Sequence, residues 1–233
     1  MKTELYSSSH PMLTGAGEHP RLISMPTYKN ARECLSAIAT RYQMLDSYID
    51  EGFVRPFGST GPNNCWFETQ FSRPSLFRFQ FTTPHPYPPL RHLVTKTVIG
   101  SDGTTPYSST EHPGSAPKIE IEESLELAVA GATGISKGTA HTIGNLLLEC
   151  VGGFSLSMLK RPRFRRSREF AGEHCGRITG IHPRGGRVTV WFSTHDLLLR
   201  KIVRHPFKRE EVRKNIRIGQ PPDQAAFRVP NES

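Results

Sequence analysis

The chain has 233 residues, of which 36% are hydrophobic and 22% charged. A chain of this length forms one β-rich domain or at most two small domains, and its composition can bury a core, which excludes wholesale disorder. No apolar run reaches the ~18–20 residues that span a bilayer, which excludes an integral helical membrane protein. The net charge of +9 favours anionic partners such as phospholipid headgroups, nucleic acid or acidic proteins.

The N-terminal segment differs in composition from the rest of the chain. Residues 1–28 are rich in polar residues, Pro and Gly, and predict a disordered extension ahead of a single domain over 29–230. The extension lacks the ~7–15 apolar residues of an export signal. We interpret this either as a cytoplasmic location or as a start that misses or replaces a signal peptide.

The first elements predicted along the domain are a helix and a strand. Apolar residues recur at helical spacing over 29–47, with Asn30 as the N-cap and Glu33 three residues later as in a capping box. Residues 47–54 then predict the first strand.

A hairpin with one aromatic face is predicted over 66–81. Apolar and polar residues alternate along this segment, which places one set on each face of a strand, and Pro74-Ser75 marks the turn. The aromatic face is either an ordinary core or, in part, the lining of a cavity for an acyl chain or another apolar group, and periodicity does not separate the two. Its phenylalanines are Phe67, Phe71, Phe77, Phe79 and Phe81.

Further strands enclose a helical insertion. Gly131, Gly134 and Gly138 are expected to interrupt the insertion, and the tail at 206–230 is predicted to be irregular with a short last strand at 227–229. The order is not a βαβ alternation, so it predicts an α+β fold in which helices lie on one face of a strongly curved antiparallel sheet. The predicted elements are strands at 92–99 and 104–109, helices at 122–130 and 140–149, and strands at about 154–159, 163–171, 174–182, 187–193 and 197–205.

Residues that support catalysis or metal binding are not grouped in this sequence. There is no GxSxG motif, and nothing near His195-Asp196 supplies a nucleophile with a base. The triplet at 173–175 has poor ligand geometry for a strand. The cysteines match no zinc spacing, and an oxidised pair stays open if the protein is exported. We therefore predict no enzyme activity, no cofactor and no metal site. The cysteines are Cys34, Cys65, Cys150 and Cys175.

A dense basic segment covers residues 160–168. In a strand, Arg161, Arg163 and Arg165 share one face, and we name these three residues the basic stripe. The stripe is either a solvated edge strand that its charge protects from aggregation, or a surface that docks an acidic partner or an anionic membrane. Nucleic acid is a weaker candidate, because the only aromatic residue in the segment, Phe164, points away from these arginines.

Five segments occur in the order found in the LolA/LolB-like outer-membrane lipoprotein carrier superfamily. Arg73-Pro74-Ser75-Leu76-Phe77-Arg78-Phe79 resembles the RP-x-x-F-x-W/F hairpin of that superfamily, and 48–52 resembles the strand before it. Residues 190–202 resemble its W-I-D-x-x-T-x-L-P-x-R strand pair, and 173–178 the strand that precedes the pair. Residues 227–230 resemble its closing strand.

The resemblance implies an incomplete β-barrel, in which a curved sheet and a helical lid covering its concave face enclose an apolar cavity. Members carry or sense lipids and acylated proteins in the periplasm, and none is an enzyme. By this likeness Arg73 matches the arginine that latches the lid, and Trp191 joins the five phenylalanines as a lining residue. The likeness also implies a monomer in the cell envelope. The pattern at 124–134 is outside the carrier signature and resembles a poorly characterised bacterial branch, which favours a general apolar ligand.

The alternative to such a binder is an interaction or regulatory protein whose interior is filled by its own helices. The basic stripe would then dock acidic partners or a membrane surface. A fully packed interior favours this alternative over a carrier.

Overall fold

A computed structural model describes residues 28–57, 65–153, 155–183 and 186–230. These residues form three α-helices and eleven β-strands, joined by turns and short 3₁₀ segments. The helices are α1 (Ala31–Gln43), α2 (Leu125–Ile135) and α3 (Thr139–Leu147), and the strands are β1 (Ser47–Pro56), β2 (Cys65–Ser72), β3 (Leu76–Pro84), β4 (Val94–Asp102), β5 (Pro106–Glu111), β6 (Lys118–Ile121), β7 (Lys160–Phe170), β8 (Glu173–Ile181), β9 (Arg187–Ser193), β10 (Leu199–Arg204) and β11 (Arg209–Ile218).

All strands belong to one antiparallel sheet in the order β6-β5-β4-β3-β2-β1-β11-β10-β9-β8-β7. The pairing of β1 with β11 joins the N-terminal run of strands to the C-terminal run. In the described part of the chain, β6 and β7 form the two ends of the sheet and do not pair with each other. The sheet is therefore open.

The sheet curves around the three helices. Neighbouring strands lie about 4.8 Å apart, so a flat sheet of eleven strands would be about 48 Å wide. The helices, each about 10 Å thick, pack on one another and contact β5 near one end of the sheet and β7 at the other. This contact requires strong bending, and it confirms the predicted α+β fold with helices on the concave face of an incomplete barrel.

The first helix begins and packs as its sequence predicts. The Asn30 side chain accepts hydrogen bonds from the backbone N–H groups of Arg32 and Glu33, and the Glu33 carboxylate accepts one from the Lys29 N–H. The apolar face of α1 is buried against the sheet. Its buried residues are Ala31, Cys34, Leu35, Ile38 and Tyr42.

The tail differs most from the prediction. Residues 209–218 form β11, a ten-residue strand between β1 and β10, instead of an irregular segment. The inward positions of β11 include Glu211 and Arg213, so no apolar alternation reveals the strand. The predicted strand at 227–229 is also wrong, because a 3₁₀ turn at Gln224–Phe227 packs against β3 and β4.

Three smaller predictions are corrected or lie outside the description. α2 continues through Gly131 and Gly134 to Ile135, and a three-residue turn that ends at Gly138, with a φ of 91°, separates it from α3. The strand expected at 154–159 is replaced by a 3₁₀ turn at Leu156–Met158. The disordered extension predicted over 1–28 lies outside the described residues, except for Tyr28, which packs against the core.

One close approach in the sheet gives a stability prediction. A Cβ added at Gly52 of β1 would lie 2.0 Å from the carbonyl oxygen of Val212 and 2.4 Å from Cζ of Phe67. Because the first neighbour is backbone, the strand has to shift. We expect Gly52→Ala to lower the free energy of unfolding by about 2 kcal/mol or more, as other overpacked sites do. Urea denaturation followed by circular dichroism measures this loss.

Gly131→Ala is the matched control, because a Cβ at Gly131 would meet open space on α2. In the interior of a helix, this change is expected to raise stability by up to about 1 kcal/mol. Equal effects of the two substitutions would contradict the packing described for Gly52.

Candidate functional site

The five predicted phenylalanines lie together on the concave face of β2 and β3. Their side chains are almost completely buried in the same apolar cluster as residues of all three helices. Ring centroids are 5.8 Å apart for Phe67 and Phe79, and 5.8 Å for Phe79 and Phe81. We name this surface the phenylalanine wall. It consists of Phe67, Phe71, Phe77, Phe79 and Phe81.

The structure places Trp191 away from the phenylalanine wall. Val190 and Phe192 point into the concave core, so the residue between them points to the convex face. There the Arg177 guanidinium carbon lies 4.3 Å from the centre of the Trp191 ring, and the Phe170 ring centre lies 5.9 Å away. Trp191 therefore belongs to a cation–aromatic cluster on the outer surface.

Helix α2 covers the wall from the side of β4 and β5 and is held there by apolar contacts. Leu125, Ala128, Val129 and Ala132 are its buried residues. Among the described residues, no side chain of α2 forms a hydrogen bond or an ion pair with a strand. These buried side chains are mostly small, so each contributes little apolar area to the contact of α2 with β4 and β5.

The outer side of α2 is also apolar. Leu127 is 50% exposed and Ile135 is 51% exposed. These two residues lie eight positions apart, with Gly131 midway on the same exposed stripe of the helix. A helix that only closes a core typically has a polar outer face, so α2 is unusual in being apolar on both sides.

Arg73 contacts the end of α1. Its Nε donates to the carbonyl oxygen of Leu45 at 3.2 Å, and its Nη2 donates to the carbonyl oxygen of Gln43. The guanidinium carbon also lies 5.3 Å from the centre of the Phe71 ring. Arg73 therefore joins the β2–β3 turn to one of the three covering helices, and among the described residues it forms no bond to α2 or α3.

A chain of buried charges crosses the concave face beside the phenylalanine wall. Arg213 donates from Nη1 to Asp50 at 2.5 Å and from Nη2 to Glu211 at 2.6 Å. Arg204 donates to the other oxygen of Glu211 at 2.9 Å. Two carboxylates thus face two guanidinium groups, and this chain of four buried charges is neutral as a whole.

The same chain of buried charges connects the sheet to the helices and to buried tyrosines. Arg204 donates to Oγ1 of Thr142 in α3 at 2.7 Å, and Tyr48 donates to Asp50 at 2.6 Å. Burial lowers the pKa of Arg213, but Asp50 and Glu211 outweigh it and raise that pKa well above its ordinary value. Burial raises the pKa of Tyr48, so the tyrosine stays a neutral donor.

Sequence reasoning missed this chain of charges. Asp50 was assigned only to a strand, and Glu211 and Arg213 fell in a segment predicted to be irregular. A usable signal exists, because Arg209, Glu211 and Arg213 alternate in charge at strand spacing. The pairing of β11 with β1 is needed to show that these charged side chains lie on the inner side of the sheet.

Two clefts in the described part of the chain open on the convex face. One, of about 340 Å³, is bordered by Trp66, Glu68 and Lys214 among others. The other, of about 210 Å³, lies between the sheet and the segment after β11. Neither is lined by Phe71, Phe77 or Phe79. In this conformation the helices fill the space over these three rings.

The basic stripe lies on the end strand β7. Arg161, Arg163 and Arg165 are all exposed. Arg161 has a φ of 50° at an irregularity in the pairing with β8, so the stripe has a regular register only at Arg163 and Arg165. Among the described residues, none of the three arginines lies within ion-pair distance of a carboxylate.

The described residues hold neither a metal cluster nor a disulfide. No group of three or more His, Cys, Asp or Glu side chains in this part of the chain is arranged to hold a metal ion. All four cysteines are free thiols, and burial raises the pKa of Cys34 and Cys65 to about 12. None of the helices in these residues combines the length and hydropathy of a membrane span.

The buried charges give a prediction for two neighbouring residues of β11. Arg213→Met leaves Asp50 and Glu211 without their central partner, and we expect it to lower the free energy of unfolding by about 3–5 kcal/mol. Lys214→Met is the control, because its pair with Glu51 spans 3.3 Å on the exposed face and contributes at most about 1 kcal/mol. Urea denaturation at pH 7 compares the two. A loss of under about 1 kcal/mol in Arg213→Met would contradict the buried chain.

The chain was compared with known proteins. No family model and no curated protein matches it. Among solved structures, the MucA/MucB complex of Pseudomonas aeruginosa matches with 13% identity and a TM-score of 0.40 over 86% of this chain. This chain spans 61% of the length of that MucB chain.

Two further matches carry LolA-type names. An outer membrane lipoprotein-sorting protein domain from Vibrio parahaemolyticus matches with 9% identity and a TM-score of 0.35, over 84% of this chain and 95% of that one. A LolA superfamily protein from Nitrosomonas europaea matches with 9% identity and a TM-score of 0.32, over 86% and 98% of the two chains. LolA superfamily structures are thus among those to which this chain is similar, as the motifs predicted.

Proposed function

We propose that the protein binds an acyl chain or a similar apolar ligand between the phenylalanine wall and α2, without catalysing a reaction. The observation that carries the proposal is the double-sided apolar character of α2. A lid that moves away from a wall and meets a ligand needs apolar residues on more than one side. A permanent cover needs them on its inner side only.

The purely apolar attachment of α2 to the strands, in the described part of the chain, supports its movement. Its inner side chains are small, and it has no polar tie to a strand among the described residues. Gly131 and Gly134 each cost the helix about 1 kcal/mol relative to Ala. By contrast, α3 is anchored to β10 through the bond between Thr142 and Arg204. Opening is therefore expected at α2, while α3 stays on the sheet.

The wall supplies the binding energy. Each methylene group that leaves water for an apolar site contributes about 0.8 kcal/mol. An acyl chain laid over Phe77 and Phe79 would replace the contacts that these rings lose when α2 moves. Release follows if a partner binds the open form better than the closed form, because it shifts the population toward open molecules.

The sequence motifs support a setting for this function. Their likeness to the lipoprotein carrier superfamily supports the periplasm or cell envelope as the compartment, and a lipid or an acylated protein as the ligand. We propose Arg73 as a latch on α1, since its two hydrogen bonds close the gap between the β2–β3 turn and that helix.

A second function is favoured by the filled space over Phe71, Phe77 and Phe79. In this alternative the helices close the interior permanently, and the protein acts as an interaction or regulatory partner that docks through the basic stripe. The two functions differ in whether a fatty acid binds at all.

We expect the fluorescent fatty acid cis-parinaric acid to bind the wild-type chain at one site. Phe79 lies between Phe77 and Phe81 along the wall, and its ring centroid is 5.8 Å from those of Phe67 and Phe81. Phe79→Leu should preserve the fold, and we expect it to weaken binding about tenfold, equal to about 1.4 kcal/mol of lost contact. Fluorescence titration measures this change.

Trp66→Leu is the matched control, since Trp66 is the neighbouring aromatic on the convex face of β2. Its affinity should equal that of the wild type. Absence of binding to the wild-type chain would reject the acyl-chain function in favour of the second one. Equal weakening in both variants would move the site away from the wall.

Arg73→Lys tests the latch. Lysine keeps the charge but lacks the planar fork that reaches the carbonyl oxygens of Leu45 and Gln43 together. Because α1 packs on α3 and α3 on α2, we expect a released α1 to loosen the helical cover and to speed association of the fatty acid, by a factor of about 10 if one bond worth about 1.4 kcal/mol is lost. Stopped-flow fluorescence measures the rate. Arg78→Lys on the convex face is the control, and an unchanged rate in Arg73→Lys would leave Arg73 a structural contact only.

A further inference from the structure

We infer that β7 is a docking edge to which an acidic, extended segment of a partner protein adds as a further strand of the sheet. The inference deepens the second of the two functions above, and it names the partner chemistry and the mode of contact. It does not depend on fatty-acid binding.

The first support is an open main-chain edge. Among the strands that the structure describes, β7 is the last in the sheet, has 11 residues and pairs only with β8. In the described part of the chain, no backbone hydrogen bond joins residues 160–170 to a loop or turn. The other end strand, β6, has only 4 residues. Pro162 lacks an N–H, and the carbonyl oxygen of Arg166 accepts from Nη1 of Arg177 at 3.3 Å. Otherwise, a long edge strand presents unpaired N–H and C=O groups that fit another strand.

The second support is the charge on this edge. β7 contains six exposed cations and one acidic residue, Glu169. Among the described residues, none of the six lies within ion-pair distance of a carboxylate. Arg177 on β8 adds a further cation, and burial together with Arg168 and Arg165 lowers its pKa. The cations are Lys160, Arg161, Arg163, Arg165, Arg166 and Arg168.

Six cations on one strand are more than is needed to protect the edge of a sheet from aggregation. One or two charges are enough to discourage pairing between copies. Here the cations repel one another, and none of the residues that the structure describes places a carboxylate within ion-pair distance to offset this repulsion. An incoming strand with acidic side chains supplies that offset, and opposite charges placed across neighbouring strands contribute about 0.2–1 kcal/mol per pair.

The register of β7 specifies the pattern of the partner. Arg163 and Arg165 face Thr179 and Arg177 on the convex side. Phe164 is opposite Ile178, a core residue, so it lies on the concave side, where it is 43% exposed. A complementary strand therefore alternates acidic and apolar residues, with its acids toward the arginines and its apolar side chains toward Phe164.

The open edge favours a polypeptide over other anions. Phosphate groups of a membrane or a nucleic acid satisfy the guanidinium groups but leave the row of main-chain N–H and C=O groups without partners. A strand satisfies both the backbone and the charges. This difference also makes the two kinds of partner separable by experiment.

The probe is a fluorescein-labelled peptide of alternating Glu and Val, titrated with the full chain and followed by anisotropy. We expect binding that weakens as salt rises. The same peptide with every backbone nitrogen methylated keeps its charge but cannot donate main-chain hydrogen bonds, and we expect its affinity to fall at least tenfold. The double variant Arg163→Glu, Arg165→Glu should lose binding.

The variant Arg217→Glu, Arg228→Glu is the matched control, because both arginines are exposed and the change in net charge is the same. We expect it to bind as the wild type does. Equal affinity for the methylated and unmethylated peptides would overturn strand addition while leaving a charged docking surface. Binding of phosphatidylglycerol vesicles or single-stranded DNA but not of the peptide would overturn the choice of partner and retain the second function.

A second copy of the chain is the remaining competitor. Glu120 and Glu122 alternate with Ile119 and Ile121 along and just after β6, so this segment has the pattern that β7 requires. Sedimentation velocity without peptide separates the two cases. A monomer supports a foreign partner, and association that Glu120→Lys abolishes would overturn it in favour of self-association.

Discussion

The pairing of β1 with β11 is the interaction on which the rest of the molecule depends. It joins two runs of strands that are far apart in the chain, and without it neither run can bend around the helices. At this seam the backbone also leaves no room for a Cβ at Gly52, and Arg213 is buried between two carboxylates. A charged residue can occupy this position because its partners come from both sides of the seam, so the ion pairs form only when the register is correct.

Curvature then divides the molecule into surfaces of different chemistry. The concave side collects the phenylalanines because every second residue of β2 and β3 points inward. The convex side holds exposed cations and further aromatic rings, and Trp191 and Arg177 stack there. Since the sheet does not close, it also retains an edge at β7. An apolar interior and a charged edge are thus consequences of one open, curved sheet.

The sequence predicts the parts of this structure that local patterns determine. The hairpin around Pro74 follows from strict alternation, and α1 from helical spacing behind Asn30. β11 could not be found in this way, because inward charges at Glu211 and Arg213 erase its alternation, and their partners lie in distant elements. The extent of α2 escaped for a related reason, since packing against the sheet outweighs the cost of its glycines. Whether the wall is covered is also a tertiary property that periodicity does not contain.

The position of Trp191 shows how register corrects an argument from residue type. Its aromatic ring suggested a lining residue, yet its neighbours Val190 and Phe192 are both core residues, which leaves Trp191 for the outer face. There Trp191, on β9, stacks on Arg177 of β8. β8 pairs with the end strand β7, which carries the exposed arginines. The Trp191 ring restricts the guanidinium group of Arg177. A cation that is already held in place loses less side-chain freedom when a strand binds beside it, so Trp191 favours binding next to β7 as well as the fold.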